Sequence, residues 1–170
     1  MTNNSVNLRP LQKSDLELVL SWRNHPNVRR FMYTQHEISA EEHRAWFDRT
    51  RDDQNRYQLI FEQQEQPTGF VNFNVVDPQG KRADWGFYLS PEASAGSGWS
   101  LGLTALNYAF EHIYLHKVCG EALAYNMPSI RFHERLGFTR EAILREHHFD
   151  GIKYHDVIGF GMLGTEWSNR

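Results

Sequence analysis

Residues 85–110 read WGFYLSPEASAGSGWSLGLTALNYAF, and this stretch decides the fold. Trp85, Phe87 and Leu89 alternate with smaller or polar neighbours and predict a strand. Ser90-Pro91 ends it, a loop of small residues follows, and residues 101–113 form an almost wholly apolar helix. Gly96 and Gly98 let the backbone come close to a ligand, and Ser97 and Ser100 add hydroxyl donors. With Trp99 and Leu101 they lead into a first helical turn whose unpaired N–H groups and dipole end suit a phosphate or pyrophosphate.

Other glycine-rich loops fit less well. A nucleoside-triphosphate loop needs Gly-Lys-Ser/Thr, and nothing of that kind follows Gly98. A dinucleotide fold needs a third glycine and an early position in the chain, and both are missing. A surface loop without a ligand remains open on these residues alone.

Composition sets the outer bounds. The 170 residues are 40% hydrophobic and 14% aromatic, enough for a sizeable core, and a single domain over residues 1–170 is expected. A net charge of −3 argues against a general binder of nucleic acid or acidic membrane. Cys119 is the lone cysteine, which excludes an internal disulfide framework. The opening MTNNSVNLRP has no basic-then-apolar leader and no apolar run approaches a membrane span, so a cytoplasmic protein is expected.

Outward from the central stretch, residues 6–11 predict a strand, and Ser14 to Glu17 reads as a capping box opening a helix to about Arg23. Pro26 is expected to break that helix. Arg23, Arg29 and Arg30 then lie among Trp22, Phe31 and Tyr33, a set that fits either a diphosphate with a stacked base or a solvated basic turn over core aromatics. Ser39 to Glu42 caps a second helix to about Arg51, with Ile38, Trp46 and Phe47 toward its apolar side. Strands are expected at 57–62, 69–75, 83–89 and 117–124, and Asn126 to Ser129 caps a helix ending at Leu136-Gly137. Residues 138–149 and 153–162 predict a hairpin about a two-residue Asp150-Gly151 turn. The order β, α, α, β, β, β, α, β, α, β, β predicts one α/β fold with a mixed, mostly antiparallel sheet flanked by helices.

That order, the central strand and glycine loop and helix, and the later NMPSIRFHERLGF resemble the GCN5-related N-acetyltransferase superfamily. The segments SWRNHPNVRRFMY, ISAEEHRAWF and REHHFDGIKYHDVIGFGML are similar, more narrowly, to the N-acetyltransferases of pseudaminic acid biosynthesis. Ala95 and Ser100 depart from the superfamily loop pattern, while the backbone amides of residues 96–101 remain available for pyrophosphate.

The resemblance implies acetyl-CoA as co-substrate, with no metal, and two strands that splay apart at the acetyl-CoA site. Phe87 and Leu89 would pair with the pantetheine arm through their backbone, and the N–H of Leu89 or Tyr88 would face the thioester oxygen. Asn126 and Ser129 would hold the cofactor arm. Asp84 and Glu121 are the rival general bases. His133 falls where the family places a tyrosine general acid, with Tyr125 or Tyr154 as substitutes. The implied acceptor is a UDP-4-amino-4,6-dideoxy sugar of the N-acetyl-altrosamine type, bound by Met32, Tyr33, Trp46 or Phe47, Trp85 or Phe87, and Glu121, with Arg23 and Arg30 of the basic turn beside them. The alternatives are a protein N-terminal acetyltransferase and a non-catalytic acetyl-CoA sensor. A homodimer along the last hairpin is plausible on exposed strand pairing.

Histidines carry a weaker signal. His112 and His116 at i, i+4, and His147, His148, His155 and Asp156 across the hairpin, lack a fixed third ligand pattern, and no metal site is expected. Cys119 sits in an apolar strand, where burial would raise its thiol pKa, so it is not expected to be a nucleophile.

Overall fold

The alternation over 85–89 is realised as an inner strand of one seven-stranded sheet, in a computed structural model that describes residues 5–170. Its strands are β1 (Val6–Pro10), β2 (Arg56–Gln63), β3 (Gln66–Asp77), β4 (Arg82–Leu89), β5 (Lys117–Leu123), β6 (Thr139–Phe149) and β7 (Tyr154–Leu163). They lie in the order β1-β2-β3-β4-β5-β7-β6, and every neighbouring pair is antiparallel except β4 with β5. All seven expected strands form.

Side-chain parity divides the core in two. Phe61, Phe73, Ala83, Trp85 and Phe160 face one side of the sheet. There they pack under α4 (Ser97–Asn107), which ends in a π turn over Tyr108–His112, and under α5 (Met127–Arg135). Ile60 and Phe70 face the other side, under α1 (Leu16–Asn24) and α3 (Ala40–Thr50), where Val19, Trp22 and Phe47 close a second cluster.

Two local expectations are corrected, and two further local features are added. The capping box at Ser14 does not form. Lys13–Asp15 is a 3₁₀ turn, and Asp15 is taken up by two guanidinium contacts from Arg9, at 2.8 and 2.9 Å, with a third from the Gln12 amide. The break expected at Pro26 forms, α1 (Leu16–Asn24) ending just before it, and Pro26 itself opens a short helix, α2 (Pro26–Arg29), because proline loses nothing at a first helical position. The last hairpin turns through four residues, since Asp150 accepts the amides of both Ile152 and Lys153. Finally, α6 (Gly164–Ser168) follows β7, with the Glu166 carboxylate accepting the Leu163 amide.

What positions the site is the seam between β4 and β5. Their pairing covers only Arg82 with Lys117, Ala83 with Val118 and Asp84 with Cys119, after which the strands part. Trp85 and His133 lie directly over Gly120 of β5: a Cβ there would stand 2.5 Å from His133 Nε2 and 2.7 Å from Trp85 Nε1. The two rings therefore lie over the face of β5 just past its last pair with β4 and need glycine beneath them. Gly120→Ala is expected to destabilise the protein by roughly 1–3 kcal/mol through overpacking, read as a lower urea midpoint at unchanged m-value.

Candidate active site

Beyond Asp84 and Cys119 the two strands enclose a cleft of about 930 Å³. Register tells which backbone groups line it. The Ser90 amide bonds the Thr68 carbonyl, so in the β3–β4 ladder the even-numbered residues Tyr88, Gly86 and Asp84 form the hydrogen-bonded pairs. The N–H and C=O groups of Trp85, Phe87 and Leu89 therefore point away from β3, toward the gap that β5 has left. Of the two amides expected to face a thioester, that of Leu89 is so directed. Tyr88 is corrected: its N–H belongs to β3, and its ring packs on Phe70 at 5.1 Å across the sheet's other face.

At the mouth of the cleft, Gly96 adopts φ +91° as the N-cap of α4, a conformation that strains other residues. Gly98 lines the cleft with Leu101, and a Cβ on Gly98 would touch only Leu89. The first turn of α4 has amides that no carbonyl within the helix can take. Of these, that of Ser97 is taken by the carbonyl of Ser94, while the Ser100 amide makes the first helical bond on the Gly96 carbonyl. The hydroxyl expected from Ser97 is corrected, because it is buried and donates to Gln63 Oε1 at 2.6 Å, pinning the loop to β2. Ser100 lines a separate, smaller recess beside Ser90 and Ser94, not the cleft. Trp99 lies under the Arg135 guanidinium, 4.6 Å from its ring centre.

On the far wall, Asn126 caps α5 by accepting the Ser129 amide, and both residues line the cleft. His133 lies one turn on, 1% exposed. Its Nδ1 meets the Ser129 carbonyl at 2.8 Å and its Nε2 meets the Trp85 indole N–H at 3.1 Å. Because a carbonyl accepts and an indole only donates, Nδ1 carries the proton and Nε2 is the acceptor. Burial lowers the pKa to about 4, against a weaker opposing pull from the Ser129 carbonyl. The general-acid assignment for His133 is thereby corrected: a neutral imidazole with both nitrogens committed has no proton to give.

The acceptor half lies across the sheet. Arg23, Glu42, His43, Trp46, Arg49 and Glu121 line it with Met32 and Phe31. Arg23 donates one guanidinium nitrogen to the Thr34 carbonyl at 2.9 Å, while the other, Nη1, is buried without a hydrogen-bond partner among the described residues. Burial pushes its pKa down, as it does that of His43, which stacks on Trp46. The Tyr33 hydroxyl donates to Glu121, and its ring rests against His148. Asp84 stands at the vertex of the fork, where desolvation first and Glu121 after it raise its pKa, against Arg82.

Other expected residues fall elsewhere. Phe47 is core beneath α3, so the aromatic facing the cleft is Trp46. The Arg30 guanidinium lies over Phe31, and its carbonyl accepts the Tyr125 hydroxyl at 3.0 Å. That hydroxyl also accepts from Gln35, so Tyr125 serves as a strut between the β5–α5 turn and the Arg30–Gln35 loop. Tyr154 packs on Phe149 near the hairpin tip. His116 lies beyond the helix that ends at His112, and His155 pairs with Asp150. Among the described residues no three His, Cys, Asp or Glu side chains gather as a metal site. Burial raises the Cys119 thiol pKa. No helix among the described residues is long and apolar enough to cross a membrane.

Sequence reasoning overlooked Glu42, His43 and Arg49. Glu42, Trp46 and Arg49 recur at i, i+4 and i+7, which places them along one helix face, and that spacing was the available signal.

A sequence model of the acetyltransferase (GNAT) domain matches residues 5–139. The chain is 28% identical over 133 residues to acetyltransferase PseH of Campylobacter jejuni, covering 78% of this chain and 82% of that one. It is 25% identical over 171 residues to spermidine N(1)-acetyltransferase of Vibrio cholerae, covering 99% and 98%. The crystal structure of a spermidine N-acetyltransferase from Vibrio cholerae, in complex with CoA and spermine, superposes with a TM-score of 0.88 at 24% identity over 96% of this chain and 98% of that one.

The state of His133 makes stability depend on pH. Its folded pKa of about 4 lies below the ordinary 6.5, so the unfolded chain binds the proton first as pH falls. The contribution is complete above pH 6.5 and is lost between there and pH 4, about 3 kcal/mol in all. Urea unfolding at pH 7 and pH 4.5 is expected to show this loss. In His133→Phe, which leaves the Trp85 N–H without an acceptor, stability is expected to be lower at pH 7 by roughly 1–3 kcal/mol and to lack that pH component.

Proposed function

The chain belongs to the acetyltransferase (GNAT) family and transfers acetyl to an amine, and from that premise we propose that its acceptor is the 4-amino group of a UDP-4-amino-4,6-dideoxy sugar of the N-acetyl-altrosamine type. The observation that carries this reading is Arg23. A buried guanidinium nitrogen without a partner among the described residues calls for an anion, and a diphosphate supplies one where a polyamine would meet like charge. Arg49 lines the same half and adds to the positive field, and Trp46 with Met32 offers the flat and thioether surface that a uracil and a 6-methyl sugar need. The likeness to PseH of Campylobacter jejuni supports the same class.

Acetyl-CoA, bound with its phosphates at the α4 N-terminus and its arm along β4, presents an activated thioester. The Leu89 N–H, directed into the gap, would stabilise charge growing on the carbonyl oxygen. Asn126 and Ser129 would border the arm. Glu121 would accept the proton of the attacking amine, with Asp84 at the fork vertex as the rival base. Attack is direct within a ternary complex, and no acyl-enzyme forms. A cytoplasmic setting accords with this use of a nucleotide sugar.

A polyamine acceptor is the second reading. Glu42 and Glu121 line the cleft and suit an ammonium, and the Vibrio cholerae relatives are named for spermidine. Thiol release from acetyl-CoA with the UDP-amino sugar, spermidine and a peptide amine separates the cases. Turnover is expected with the sugar, and Arg23→Gln is expected to raise the sugar KM roughly tenfold or more while the acetyl-CoA KM stays put. Preference for spermidine, insensitive to Arg23→Gln, would overturn the sugar reading. Preference for the peptide, or binding without turnover, points to the protein acetyltransferase or the sensor.

A further inference from the structure

Acetyl transfer ends with a thiolate that must be protonated. The position where a superfamily tyrosine is expected is filled by His133, neutral and with both ring nitrogens engaged. Tyr125 is tied to Arg30 and Gln35, Tyr88 lines the α1–α3 half of the cleft with its ring on Phe70 and its buried phenol in the field of Arg23, and Tyr154 stands near the hairpin tip. One phenol is joined to a carboxylate that lines the cleft: Tyr33, on the loop after α2, whose hydroxyl donates to Glu121.

We propose that Tyr33 is the general acid of the reaction, working with Glu121 as a two-member proton relay. The inference rests on the reading that the thioester lies between β4 and β5. Glu121 is two residues past Cys119, the last β5 residue paired with β4, so the pair stands just where the gap opens. After attack, the ammonium nitrogen of the tetrahedral intermediate gives its proton to the Glu121 carboxylate. The carbon–sulfur bond breaks, the Tyr33 O–H protonates the departing sulfur, and Glu121 returns its proton to the phenolate. The net change is one proton moved from nitrogen to sulfur, with both residues restored.

The surroundings suit the task. Tyr33 is 47% exposed, so its side chain is not fixed in the core. Glu121 of β5 and His148 of β6 are the titratable groups that face it, and both burial and Glu121 hold the phenol protonated. Once Glu121 has taken the amine proton it no longer holds the phenol as a carboxylate but donates to its oxygen, so the phenol proton can pass to sulfur only as Glu121 hands its own on.

The test uses the full chain and whichever amine the wild type acetylates faster, the UDP-amino sugar or spermidine. Tyr33→Phe is expected to lower kcat by about 100-fold or more with the acetyl-CoA KM unchanged. Fluorinated tyrosines at position 33, which keep shape but lower the phenol pKa, are expected to move the alkaline limb of kcat downward in step with that pKa. A Tyr33→Phe kcat within threefold of wild type, a change in acceptor KM alone, or an alkaline limb indifferent to fluorination would overturn the relay. Failure of the nucleotide-sugar reading shows separately, as a wild-type preference for spermidine, and the relay is then judged on spermidine by the same criteria.

Discussion

The Trp85 to His133 hydrogen bond, seated on Gly120, is the constraint from which the rest of the site follows. An indole N–H buried in a core must find an acceptor or cost on the order of 1–3 kcal/mol, and the imidazole Nε2 supplies it. Phe138 and Phe160 close over the pair, stacked on Trp85 and His133 respectively. The block lies over β5 just where its pairing with β4 stops at Cys119. The unpaired edge of β4 beyond that point would be a liability elsewhere, but here it is a ready partner for an extended ligand with amides of its own.

The same sheet separates two kinds of chemistry. On the α4–α5 side the cleft is apolar with backbone donors, the surroundings an uncharged pantetheine chain and a polarised thioester require. On the α1–α3 side it carries Arg23, Arg49, Glu42 and Glu121, a mixed charge lining suited to an acceptor with an anionic end and an amine end. The fork is the one place where these halves meet. Glu121 lines the cleft there, and Asp84 stands beside it at the last β4–β5 pair.

Much of this was legible in the chain. The strand, glycine loop and apolar helix over 85–110 have period 2, then punctuation, then a helical apolar run, so local physics and the finished fold agree there. Other features depend on partners far along the chain. His133 sits where motif position suggests chemistry, and only contacts with Trp85, 48 residues away, reveal that its nitrogens are already spent. Ser97 looks like a free hydroxyl until Gln63, 34 residues back, is seen to accept from it. Asp150-Gly151 reads as a tight turn, yet the Asp150 carboxylate gathers two later amides and widens the loop to four residues. Arg23 was expected among the substrate residues, but its unpartnered nitrogen is a property of burial and has no sequence signature.

The central claim is that an extended thioester ligand takes the place beside β4 that β5 has left. Amide hydrogen exchange along β4, measured with and without acetyl-CoA, tests it most directly. The Phe87 and Leu89 amides, which face the gap, should exchange fast in the free protein and become protected with acetyl-CoA bound, while Tyr88, already paired with β3, should be slow in both. Equal exchange of Phe87 and Leu89 in the two states, with acetyl-CoA demonstrably bound, would contradict the account.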